Sequence, residues 1–170
     1  MPMSTLRFPV AVTLRRTPLA NRWVSERWEP VAVEPESEPS PPGAVMVADD
    51  AAGTCWRFGG QTIELHRSEA EGYHLNITSP EPKVFVMWRM TEDPGTEPAA
   101  RPVIVTASYS QAARMLDGGE QVDALPMPSG LLAWLQPFVA EHYKPEARRK
   151  VRRNDPFGDD RYQRGRGSPR

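Results

Sequence analysis

The sequence predicts an α+β fold built mainly on antiparallel strands, as an open sheet, a partly closed barrel or a sandwich, with one short helix, a C-terminal helix and a disordered basic tail. Three observations predict it. Several short segments alternate apolar and polar residues with a period of two, Gly and Pro cluster between those segments, and two stretches beyond residue 107 carry helix signals, a capping pattern in one and helical spacing in the other. The chain has 170 residues and is 39% hydrophobic, enough for one core of roughly 140 residues that buries about two-thirds of its unfolded surface.

Phe8, Val10, Val12 and Leu14 alternate with Pro9, Ala11 and Thr13, which suits a half-buried strand. Pro9 cannot donate to a ladder, so this strand is expected at a sheet edge. A turn at Thr17-Pro18 leads into a second strand-like segment, Asn21 to Val33, carrying Trp23 and Trp28. Their opposite parity places them on opposite faces of a regular strand unless a bulge near Glu29-Pro30 shifts the register.

Residues 34–43 read EPESEPSPPG and hold no large apolar side chain, so they form an exposed extended loop. Thr54 to Phe58 and Gln61 to His66 flank Gly59-Gly60, a two-residue hairpin signal because a type I′ turn needs positive φ at both central positions. Tyr73, Leu75 and Ile77 alternate with polar neighbours and read as the next strand. Val84 to Trp88 is apolar on both faces, as expected of a central strand covered on both sides.

Residues 91–102 contain Pro94-Gly95, Pro98 and Pro102 and form a second exposed loop, followed by a β-rich run from Val103 to Ala107. Ser108 with Gln111 resembles a capping box and Gly118 a C-cap, which predicts a helix over Tyr109 to Asp117. Val122 to Met127 returns as a strand. Leu131, Leu135, Phe138 and His142 have helical spacing after Ser129 as N-cap, and Pro137 predicts a kink or a second short helix. This last helix is expected to cover the second face of Val84 to Trp88.

Charge divides the chain into an expected body, residues 1–143, and a flexible basic tail, residues 144–170. The tail holds ten Lys/Arg against four Asp/Glu and the body 11 against 18, so a net charge of −1 conceals an acidic body and a basic end. Five cations, Arg148, Arg149, Lys150, Arg152 and Arg153, make the tail a docking element or a solubilising terminus. Nucleic acid or an anionic membrane surface is one target for it, but the aspartates at 155, 159 and 160 and the acidic body oppose a polyanion.

Trp23 and Trp28 are candidate interface anchors, and parity argues that one of them sits in the core instead. If the Gly59-Gly60 hairpin forms and Tyr73 to Ile77 pairs beside it, Cys55, Glu64, His66 and His74 share a sheet face, and these are metal-ligand types. Yet the sequence has no CxxC or HxxxH spacing, and the polar face of an antiparallel sheet looks the same, so no metal and no cofactor are predicted. No GxGxxG, P-loop or GxSxG string occurs, and a lone cysteine with three histidines does not define a nucleophile. The first 20 residues have no long apolar run, so no secretion signal or membrane span is expected and the location is cytoplasmic.

The strings Asn21-Arg22-Trp23, Arg27-Trp28-Glu29, Leu65 to Tyr73, Leu75-Asn76-Ile77-Thr78 and Val86-Met87-Trp88-Arg89 stand in this order along the chain. Leu116 to Glu120, Pro126-Met127-Pro128, Trp134 and His142-Tyr143-Lys144-Pro145 follow them. Together they resemble the proteobacterial family catalogued as domain of unknown function 3305, from about Phe8 to Arg153. Members of that family are typically encoded beside subunits and accessory factors of a molybdenum-dependent formate dehydrogenase. The resemblance therefore implies a non-catalytic role in assembly or maturation, with dehydrogenase subunits or maturation factors as partners. It implies no catalytic residues, and a nucleic-acid-binding module or a metal-dependent enzyme are the alternatives.

Overall fold

The computed structural model describes residues 6–145. Seven strands form two antiparallel sheets. The first, in the order β2-β1-β4-β3, contains β1 (Leu6–Pro18), β2 (Glu26–Pro35), β3 (Gly43–Asp50) and β4 (Gly53–Leu65). The second, in the order β6-β5-β7, contains β5 (Lys83–Met90), β6 (Ala100–Thr106) and β7 (Gln121–Pro126). Three helices complete the structure: α1 (Ala70–Ile77), α2 (Tyr109–Asp117) and α3 (Ser129–His142). The sheets stack as an open sandwich, not a closed barrel.

The core lies between the sheets. Val10, Val12, Leu14, Trp28, Trp56, Phe58 and Ile63 from the first meet Val84, Val86, Trp88 and Val105 from the second, with Leu131 of α3 closing the cluster. A second cluster joins Leu65, Tyr73, Ala107, Leu135, Phe138 and Val139 beneath α1 and α3. Val84 to Trp88 does form the central strand of its sheet, buried on both faces. Its second face, however, is covered by α2 through Phe85 and Tyr109, whose rings meet edge to face at 6.2 Å. The C-terminal helix instead packs against α1 at the end of the sandwich, because Leu135, Phe138 and Val139 face Tyr73 and Leu65.

Pro9 does not mark an edge, since β1 is flanked by β2 and β4. Its carbonyl accepts from Glu36 N–H at 2.9 Å. A strand residue presents its N and O to the same side, so the missing donor points just past the last β1–β2 pair, Val10 with Pro35, and no ladder bond is lost. The second strand begins at Glu26, and Leu19 to Ser25 is a loop closed by a bond from Leu19 N–H to Ser25 O. The bulge foreseen near Glu29-Pro30 occurs one residue on: Thr13 pairs with Ala32 and Leu14 with Pro30, leaving Val31 extra.

Gly59-Gly60 makes no hairpin. β4 runs unbroken through both, and they stand together opposite Ala11, because Val10 pairs with Gln61 and Val12 with Phe58. A bulge of this kind and a type I′ turn both call for positive φ, here +72° at Gly60. What decides between them is that β1 and β3 supply partners on either side of the first half of β4.

Tyr73, Leu75 and Ile77 lie on α1, not on a strand. The same stretch carries Ala70, Tyr73 and Ile77 at helical spacing, so Tyr73 is fully buried while Leu75 is half exposed. Asn76 fixes the helix from inside. Its Nδ2 donates to Lys83 O at 2.6 Å and Ala107 O at 2.8 Å, and its Oδ1 accepts from Lys83 N at 2.9 Å.

The loop expected over 34–43 is shorter, since Glu34 and Pro35 end β2 and Gly43 opens β3, a strand the composition of its neighbours had hidden. The loop over 91–102 likewise stops at Ala99. The helix over Tyr109 to Asp117 forms with those bounds, and Ser108 Oγ accepts from Gln111 N–H at 3.1 Å. The reciprocal half of the box is diverted: Gln111 Oε1 accepts from Thr106 Oγ1, which in turn accepts from Ser108 N–H. α3 is one helix that includes Pro137, and its N-cap is Pro128, with Ser129 already helical.

Candidate partner-binding surface

The turn between β1 and β2 is short and polar at its base, and it projects an apolar tip. Asn21 Oδ1 accepts from Trp23 N–H at 2.9 Å, an Asx turn that reverses the chain at this point. Trp23 then stands 86% exposed, beside Val24 at 51%. A side chain of that size is costly to leave in water, so a tryptophan held out on a hydrogen-bonded turn is the feature of this surface that asks for an occupant.

Next to it lies a cleft of about 430 Å³ between the β1–β2 turn and the ends of β5 and β7. Trp28 and Trp88 form part of its wall, Leu19, Val24 and Met90 add apolar surface, and Glu26, Arg27 and Gln121 provide a polar rim. Both indoles are fixed by their N–H groups, Trp28 to Glu26 Oε1 at 3.2 Å and Trp88 to Asp123 Oδ2 at 2.7 Å. The rings of Trp28 and Trp56 lie 5.3 Å apart, centre to centre, with the Arg16 guanidinium over both at 5.9 and 5.0 Å. Apolar surface inside a polar rim, on a rigid base, is the composition of a protein-binding patch.

The two tryptophans singled out from the sequence therefore part company. Trp28 is buried at 6% exposure and shapes the wall, whereas Trp23 stands exposed on the turn. The bulge at Val31 does not bring them to one face, because Trp23 precedes the strand altogether.

The four metal-ligand types are not assembled. Cys55 and Glu64 sit on one strand, nine residues and so roughly 30 Å apart at about 3.3 Å per residue. His66 Nε2 is 3.7 Å from Glu64 Oε2, and His74 is carried away on α1, where it stacks on Tyr143 with ring centres 3.9 Å apart. Among the described residues no group of three or more His, Cys, Asp or Glu side chains is placed to hold a metal ion. Among them, too, no helix is long and apolar enough to cross a membrane. Arg148, Arg149, Lys150, Arg152 and Arg153 lie outside the described residues.

Sequence reasoning missed a buried anion. Glu36, in the proline-rich loop, has a side chain only 6% exposed. Burial pushes its carboxyl up, but bonds from Ser40 Oγ and Gly60 N–H and the nearby Arg57 guanidinium outweigh this and hold it below the usual carboxylate range. It also missed a second apolar cavity of about 400 Å³ behind Leu75, Phe85, Tyr109 and Ala124. Neither had a signal in the sequence, since both depend on segments distant along the chain.

No curated protein and no solved structure matches this chain. A family model described as a protein of unknown function does match, over residues 9–152, and by that match the chain belongs to the DUF3305 family.

Proposed function

We propose that this protein is a non-catalytic accessory that binds a protein partner through the Trp23 surface, and that the partner is a subunit or maturation factor of a molybdenum-dependent formate dehydrogenase. The observation that supports binding is Trp23 itself, 86% exposed beside a cleft walled by Trp28 and Trp88. The identity of the partner rests on the gene neighbourhood that the sequence resemblance implies, and the assembly step is placed in the cytoplasm. The cations from Arg148 to Arg153 give the same partner a second, electrostatic contact that raises the encounter rate.

Affinity capture from a native host tests the reading. It expects the intact protein to recover a dehydrogenase subunit or maturation factor and Trp23→Ala to recover much less. Recovery of neither, together with unchanged formate oxidation on deletion of the gene, overturns it.

A further inference from the structure

β3 is the outermost strand of the four-stranded sheet, and among the described residues β4 is its one ladder partner. The facing sheet has three strands, and the packing of β2 on β7 and of β1 and β4 on β6 leaves β3 as the overhanging strand. Its centre, Ala44-Val45-Met46-Val47-Ala48, contains no charge and no proline. Val45, Met46 and Val47 are 64%, 50% and 52% exposed. Natural sheet edges are usually blunted by lysine, proline or bulges, because unpaired backbone groups and an apolar row together recruit another strand. Here the apolar run itself holds one such device, the extra residue between Met46 and Ala48, and the charges Asp49 and Asp50 stand only at the end of the strand.

The sequence of this run says which strand it fits. Ala44 to Ala48 reads the same in both directions about Met46. Antiparallel pairing of two copies about Met46 opposes Ala44 to Ala48, Val45 to Val47 and Met46 to itself. Asp49 then falls opposite Gly43 and Asp50 opposite Pro42, so no carboxylates confront each other. A charged strand from another protein would find no complementary charge along the run. The bulge adds local twist and shortens the ladder, which favours one closed two-fold contact over open-ended stacking.

We infer that β3 is a homodimerisation edge, joined antiparallel to β3 of a second copy so that two four-stranded sheets become one of eight. This contact is separate from the Trp23 surface and does not depend on the partner proposed for it.

Sedimentation velocity of the full chain over a concentration series tests the inference. The expected result is a mass rising from one chain to two, with Val45→Lys and Met46→Lys each remaining at one chain while their circular dichroism matches wild type and their melting temperatures match it at dilutions where wild type is monomeric. Hydrogen exchange at Val45 to Ala48 should slow as concentration rises, and Trp23→Ala should dimerise like wild type. A wild-type chain that stays monomeric at the highest concentration overturns the inference. So does dimerisation that survives both lysine variants, or that Trp23→Ala abolishes.

Discussion

Gly60 N–H donates to Glu36 Oε1 at 2.9 Å, across 24 residues of sequence, and this bond ties the proline-rich loop to the bulge in the middle of β4. The same carboxylate accepts from Ser40 Oγ at 2.6 Å and faces Arg57 at 3.5 Å. Because these partners lower its pKa, Glu36 stabilises the fold fully above the ordinary carboxylate value and loses that contribution as pH falls through its lower folded value. Glu36→Gln should therefore cost about 1–3 kcal/mol at neutral pH. The gap from wild type should shrink below about pH 4 in urea titrations. A gap independent of pH would contradict this.

Gly60→Ala should be harsher than Gly95→Ala, although both positions have positive φ. At Gly95 an added Cβ meets open space, and strain alone costs on the order of 1 kcal/mol. At Gly60 it would come 2.7 Å from Ser40 O and displace the loop that Glu36 anchors. Chemical denaturation of the two variants should separate them by at least about 1 kcal/mol, within the range of overpacking penalties.

Tyr73 is fully buried, donates to Glu64 O at 3.3 Å and accepts from His66 N–H at 3.0 Å. Burial pushes its phenol up to about 12, against the smaller opposing effect of the His66 bond. A folded value above the unfolded one means that its contribution is intact below about pH 10 and lost as pH rises toward 12. Ultraviolet titration should show a late-ionising phenol that is absent in Tyr73→Phe. That variant should also lose about 1 kcal/mol at neutral pH.

Much of the fold was legible where local pattern and tertiary demand agree. Val84 to Trp88 declared a central strand by being apolar at both parities, and Ser108 with Gln111 fixed the start of α2. Legibility failed where one pattern serves two structures. A glycine pair satisfies a tight turn and a bulge alike, and strands far away in sequence chose the bulge. Tyr73, Leu75 and Ile77 fit a strand, yet Tyr73 and Ile77 also lie on one helical face with Ala70, and burial against Phe138 chose the helix. At the candidate surface, parity alone said that Trp23 and Trp28 could not share one face of a strand. It did not say which would be exposed, because that was set by where β2 begins.

The proposed anchoring role of Trp23 is tested by calorimetry, comparing the affinities of wild type and Trp23→Ala for the protein captured from the native host. Truncating a hot-spot tryptophan costs about 2 kcal/mol or more. The expected result is affinity weakened by roughly 30-fold or more, with unfolding free energy within about 0.5 kcal/mol of wild type at this exposed site. Equal affinities for the two proteins would contradict it.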